Sequence, residues 1–288
     1  MNPQQALVAR AGSSDVPMSR LGRSLRRHWD TRYLTTQMVK REVVGRYRGS
    51  ILGLFWSFLT PAVMLALYTF VFSGIFGARW ASEGNGQSET SGFAIIVFAG
   101  LILHGFFAEI LTRSPTLIYS NVIYVKKVMF PLEILPVVAV GSALFHTLVS
   151  VAVLLICQFA ITRHLPVTVL WLPAVLAPFV VLTVGIGWFL ASLGVYFRDT
   201  TQVLGPLAAA LLFLSPILYP PSRLPEIVRP YLILNPLTFI IEQTRGVLIR
   251  GVMPDLVGLA VYSVIALLVA AAGLLWFQKT RRGFADVL

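Results

Sequence analysis

Six stretches of this chain carry no Asp, Glu, Lys or Arg and approach or exceed the length of a membrane crossing: 51–78, 93–108, 134–162, 164–197, 200–222 and 256–278. A crossing helix needs about 20 mostly apolar residues. The second stretch reaches about 19 when Glu109 is accepted near its end. The third and fourth, at 29 and 34 residues, are long enough to tilt or to project beyond the bilayer. Only Arg163, His164 and Pro166 stand between them, which predicts a tight hairpin turn. Charge is scarce: 12% of residues are charged and mean hydropathy is +0.79, where soluble domains are about 25% charged. The runs and the deficit together predict an all-α integral membrane fold with six transmembrane helices.

The basic residues give a direction. With the N-terminus in the cytoplasm, cytoplasmic segments hold 17 Lys/Arg and the opposite side holds six. Positive charge is retained on the cytoplasmic side, so both termini are expected there. The chain then divides into a basic N-terminal segment (1–50), a six-span domain (51–278) and a cytoplasmic tail (279–288). Residues 1–50 hold ten Lys/Arg and three acids without a long apolar run, which excludes a cleavable signal peptide. An arginine-rich, acid-poor start also resembles a mitochondrial transit peptide, but here the basic residues continue up to the first span. The net charge of +11 fits an anionic membrane leaflet better than nucleic acid. The single cysteine, Cys157, lies in an apolar run and reveals nothing about redox compartment.

Two segments outside the spans have their own character. In "TTQMVKREVVGRYRG" (35–49), Met38, Val39, Val43 and Val44 accompany Lys40, Arg41, Arg46 and Arg48. That mixture predicts an amphipathic helix lying in the interface, with Gly45 and Gly49 offering a bend into the membrane. Residues 220–254 contain "YLILNPLTFII", apolar but too short to cross, among prolines 225, 230 and 236. Short broken helices here either re-enter the membrane, buried in protein, or lie flat on its surface.

Few groups could carry chemistry. There is no G-x-x-x-x-G-K-[ST] phosphate loop, no metal-ligand spacing and no nucleophilic triad, so no catalytic site and no cofactor are expected on this chain. Glu109 and Arg113 stand one helical turn apart and are expected to pair. His104 and His146 could relay protons, as an ion-coupled transporter would need, or each make one packing hydrogen bond. Tyr68, Phe72 and Phe76 recur every four residues and share a helix face. Such a stripe either packs the helix or offers the apolar faces of sugars a sliding surface.

Six blocks carry a family resemblance: "REVVGRYRGSILGLFWSFLTPAVMLALYTFVFSGIF" (41–76), "YVKKVMFPLEILPVV" (124–138), "WFLASLGVYFRDTTQVLG" (188–205), "FLSPILYPPSRLPE" (213–226), "LNPLTFIIEQTR" (234–245) and "WFQKTRRGFADVL" (276–288). In this order they resemble the membrane subunit of ABC-2 type polysaccharide exporters, above all the permeases for lipid-linked O-antigen; capsule and teichoic acid permeases share the architecture. The resemblance implies a bacterial inner-membrane homodimer working with two copies of an ATPase subunit, which would hold ATP and magnesium. The substrate would be a polyprenyl-diphosphate-linked polysaccharide. A two-fold dimer of twelve spans could place a polymer path on its axis.

The same resemblance implies that residues 121–127 form a coupling element docking on the ATPase. Asn121 would turn the chain, Val122, Ile123 and Val125 would fill a groove, and Lys126 and Lys127 would hold the segment at the cytoplasmic face, where they could equally serve as topology anchors alone. Arg46 and Arg48 are candidates for the carrier's diphosphate, since the guanidinium fork suits phosphate oxygens. They are also candidates for simple lipid anchoring. Two residues apart on a regular helix they point away from each other, so converging on one ligand requires the backbone to leave the helix at Gly45 or Gly49.

Overall fold

The computed structural model describes residues 32–71, 90–125, 130–219, 232 and 235–288. Every regular element among them is helical. Eight helices of ten residues or more set the frame: α1 (Arg32–Arg46), α2 (Trp56–Tyr68), α3 (Thr90–Arg113), α4 (Ile134–Thr162), α5 (Leu172–Tyr196), α6 (Thr200–Leu214), α7 (Pro236–Arg245) and α8 (Leu256–Thr280). Uninterrupted apolar sequence makes this outcome natural, because a helix satisfies its backbone internally where lipid offers no partners.

Five helical stretches are long and apolar enough to cross a membrane: Gly53–Val71, Phe93–Thr116, Ile134–Thr162, Val167–Tyr196 and Leu256–Gly283. The run at 200–222 behaves differently. Its helix, α6, has 15 residues, a rise of about 22 Å against a hydrocarbon layer of about 30 Å. It stops because Ser215 turns to an extended conformation (ψ 149°) ahead of Pro216, as a residue before proline tends to do. The hairpin at 163–166 is tight, with Arg163 in the left-handed region (φ 54°) closing α4.

The long helices run between two ends of the bundle, named here for α1 and α7. The α4 start, α5 end and α8 end meet through Ser192–Thr280, Tyr196–Thr280 and Arg281–Glu133 bonds at the α1 end. The α4 end and the start of the α5 span meet residues 247 and 248 at the α7 end. Burial shows which helix is central: 67% of the α3 span is buried, against 17% for α8 and 11% for α2. Around α3 sits the main apolar core, including Phe106, Phe107 and Phe179.

A second, smaller core at the α1 end joins Ile118, Leu132, Trp188, Phe277 and Phe284. Phe284, in the last five residues of the chain, is fully buried, so the C-terminal segment is part of the packed body. Helices α5 and α8 cross with their backbones nearly touching. A methyl group on Gly273 would lie 2.1 Å from the Gly185 carbonyl oxygen, and one on Gly185 would lie 2.6 Å from the Ala270 Cα. Small residues at such crossings are how apolar helices gain contact where no hydrophobic force separates protein from lipid.

Candidate functional site

Helix α1 lies against α4 through its apolar side. Val43 is buried, Val39 fills the space left by Gly141, and Met38 reaches the second core. Val44 faces outward with Lys40 and Arg41. Three of the four apolar residues singled out in the sequence, Met38, Val39 and Val43, thus turn toward the bundle, and Val44 does not. Its exit uses Gly49 (φ +89°) and Gly53 (φ +51°), conformations an L side chain resists. Gly45, by contrast, stays inside the helix.

At the end of α1 four charges cross between helices. Glu42 and Arg46 lie one turn apart on α1, and Glu109 and Arg113 one turn apart on α3. Arg46 pairs with Glu109, and Arg113 Nη1 lies 2.6 Å from Glu42 Oε1. The Glu109–Arg113 pair expected from sequence is present but loosest, at 3.9 Å. The sequence signal for the crossed arrangement was a second acid–base pair at the same spacing, Glu42 and Arg46, which went unread. Arg48 is exposed and in no ion pair among the described residues, so Arg46 and Arg48 share no partner there. Beside the cluster, Met38, Arg41, Glu42, Arg113, Leu117, Asn121, Leu135 and Val138 line a cavity of about 150 Å³. Tyr47 hydrogen-bonds His146 Nδ1 at 3.3 Å, and burial raises the Tyr47 phenol above its usual pKa.

The candidate coupling element follows α3 as a chain of short turns: Ser114–Thr116, Tyr119–Asn121 and the one-turn helix Val122–Val125. Asn121 donates from Nδ2 to the Leu117 carbonyl (2.8 Å), fixing the turn as its residue type suggested. The apolar residues divide. Ile123 is 73% exposed, Val122 is half-buried, and Val125 packs toward the second core. Tyr124 accepts a hydrogen bond from Arg41 Nη2 (2.9 Å) and stacks on Phe130 at 4.4 Å, tying the element to α1. Lys126 and Lys127 lie outside the described residues.

Of the aromatic stripe, Tyr68 is half-buried with its ring 6.4 Å from Phe98 of α3. Thr69–Val71 then widen into a π-helical turn, which departs from the four-residue register. Phe72 and Phe76 lie outside the described residues. His104 donates from Nε2 to the Ala208 carbonyl (2.9 Å), a bond joining α3 to α6.

At the α7 end the sequence reading missed a clamp. Arg245 is 3% exposed. Its Nε donates to Ile96 O (3.0 Å), Nη1 to Pro216 O (2.6 Å) and Glu242 (2.9 Å), and Nη2 to Ile217 O (2.9 Å). It thereby fastens α7 to α3 and to the chain leaving α6. Asn235 adds a second tie, capping α7 through Leu237 N and donating to Ser215 Oγ. Beyond α7, Gln158 and Thr168 donate to the carbonyls of Leu248 and Val247 in the π-helical stretch Gly246–Arg250.

Comparison with known proteins bears on what these arrangements serve. The ABC-2 type transporter family model matches residues 33–249. The chain is 28% identical to the O-antigen export system permease protein RfbA of Myxococcus xanthus, covering 92% of this chain and 98% of that one. It is 23% identical to the O-antigen export system permease protein RfbA of Klebsiella pneumoniae, over 92% and 100%. It is 26% identical to the polysialic acid transport protein KpsM of Escherichia coli, over 81% and 88%.

Proposed function

The chain belongs to the ABC-2 type transporter family, and on that premise we propose that it is the permease subunit of an O-antigen exporter. It moves a polyprenyl-diphosphate-linked polysaccharide across a bacterial inner membrane, as a homodimer driven by two copies of a separate ATPase subunit. The observation that carries this reading is likeness over nearly the full length of both chains to an O-antigen export permease.

Several features support its parts. The α1 end concentrates the exposed Lys and Arg of the interfacial helix, which suits a cytoplasmic surface. Ile123, projecting from a turn held by Asn121 and Tyr124, offers an apolar tip to the ATPase. On this reading Arg46 and Arg48, just before the first span, are the candidates to meet the carrier's diphosphate. Helix α6 with the chain that follows it makes the sixth crossing. Helix α7 reads as re-entrant rather than flat, because side chains of α4, α7 and the α4–α5 connection satisfy irregular backbone there, as lipid depth demands. ATP and magnesium belong to the ATPase subunit.

Removing this chain from its cell should leave lipid-linked polymer on the cytoplasmic leaflet and none at the surface. Unchanged surface O-antigen overturns the reading. The likeness to the polysialic acid transport protein favours a second reading, capsule export, and loss of a capsular polymer with O-antigen intact would select it. Topology has its own check: in a Cys157→Ser background, single cysteines at Ser88 and Ser222 should label from outside and one at Ser120 only from the cytoplasm.

A further inference from the structure

We propose that Glu109 is an internal stand-in for the substrate's diphosphate: its carboxylate occupies Arg46 in the resting state and gives way when the lipid carrier arrives. This rests on the reading of Arg46 as a diphosphate ligand. A carboxylate and a phosphate present similar paired oxygens to a guanidinium fork, so one can replace the other on the same donor. The side chains of Arg46 and Glu109 are 39% and 25% exposed. A pair this open to water is held weakly, so exchange does not require a buried charge to be stripped of its partner.

The neighbouring charges make the exchange inexpensive for Glu109. Arg113 already lies 3.9 Å from Glu109 while it pairs with Glu42 at 2.6 Å. When Arg46 leaves, Arg113 can bridge Glu42 and Glu109 with separate N–H donors of its guanidinium, and no carboxylate is stranded. Glu42 and Arg113 both line the cavity between α1, α4 and the coupling element, which gives these side chains room to rearrange. The same cavity is bordered by Arg41 and Asn121. Arg41 bonds Tyr124, one residue from the exposed Ile123. Displacement of the coupling element therefore acts on the helix that carries Arg46, linking ATPase contact to release of the arginine.

The test uses the complete transporter, permease with its ATPase, in lipid nanodiscs. Farnesyl diphosphate serves as the probe and farnesol, which lacks the anion, as the blank. Glu109→Gln should bind the probe roughly two- to fivefold more tightly, the worth of an exposed ion pair. Arg46→Gln should bind it more weakly. If Arg46→Gln weakens binding and Glu109→Gln leaves it unchanged, the latch is wrong while Arg46 stands as a ligand. If neither variant changes affinity, the ligand reading falls and the latch with it. Should Glu109→Gln fail to assemble, Glu109→Asp keeps the charge on a shorter arm and should still tighten binding, by less. Equal or weaker binding by Glu109→Asp, or loss of assembly in both variants, overturns the proposal.

Discussion

At the α1 end Arg46 meets a side-chain carboxylate on a half-exposed surface. At the α7 end Arg245 is buried and gives most of its donors to backbone carbonyls of α3 and of the chain leaving α6. A carboxylate on a flexible side chain can turn to another cation. A backbone carbonyl goes nowhere unless its segment unfolds. The same residue type therefore makes an adjustable contact at one end and a fixed one at the other. Broken helices need fixed contacts, because their stray backbone groups have no water to fall back on. On the proposed function the α1 end meets a charged carrier, and such an interface needs contacts that can be exchanged.

The sharpest way to break this comparison is Arg245→Ala. Removing one member of a buried, bonded charge set costs about 3–5 kcal/mol, so thermal unfolding in detergent should show a large loss or no folded protein. Arg245→Lys should recover little, since an ammonium cannot span carbonyls arranged around a planar fork. A melting point equal to that of the unaltered protein would dissolve the contrast.

Next in size is Arg281→Ala at the α1 end. Its partner Glu133 has a side chain only 7% exposed, and stranding it should cost about 1–3 kcal/mol. If that loss equals the one at Arg245, burial rather than location sets the cost. If it is negligible, the α1 end tolerates even buried charge. Replacing Val122 and Ile123 together with aspartate should cost little stability, since Ile123 is already exposed, yet should abolish ATPase association in a pull-down from membranes. Normal association would remove 121–125 from the docking surface. The smallest effect belongs to Glu42→Gln, which breaks one half-exposed pair and should shift stability by less than about 1 kcal/mol. A larger shift would make the crossed pairs structural.

Five of the six expected spans and the helix Arg32–Arg46 were legible because each depends on residues close in sequence: long uncharged runs, and apolar residues interleaved with basic ones. The early end of α6 has its signal in Ser215 before Pro216, and the length of the apolar run conceals it. The crossed pairing of Glu42, Arg46, Glu109 and Arg113 depends on how α1 is set beside α3, and periodicity within one helix favoured the internal Glu109–Arg113 pair instead. Arg245 was illegible for a different reason. Its partners are main-chain oxygens, which every residue has, so nothing in the letters at 96, 216 and 217 marks them as its ligands. In the candidate coupling element the sequence groups Val122, Ile123 and Val125 as groove-filling residues. Folding splits it, because the one-turn helix Val122–Val125 sends Val125 inward and leaves Ile123 at the surface.

The glycine crossing of α5 and α8 sets what can move. With the Gly185 carbonyl in the path of any side chain at Gly273, this close approach of the two helices requires both positions to stay glycine. A methyl group on Gly194 would likewise sit 2.1 Å from the Pro115 carbonyl oxygen, so the stem of the candidate coupling element is wedged against α5. These parts form a chassis. Ile123 stands exposed beyond this wedged stem, and the Tyr124–Arg41 bond is the neighbouring tie to α1. Under the proposed function, movement falls to α2, of whose span 11% is buried, rather than to the α5–α8 crossing.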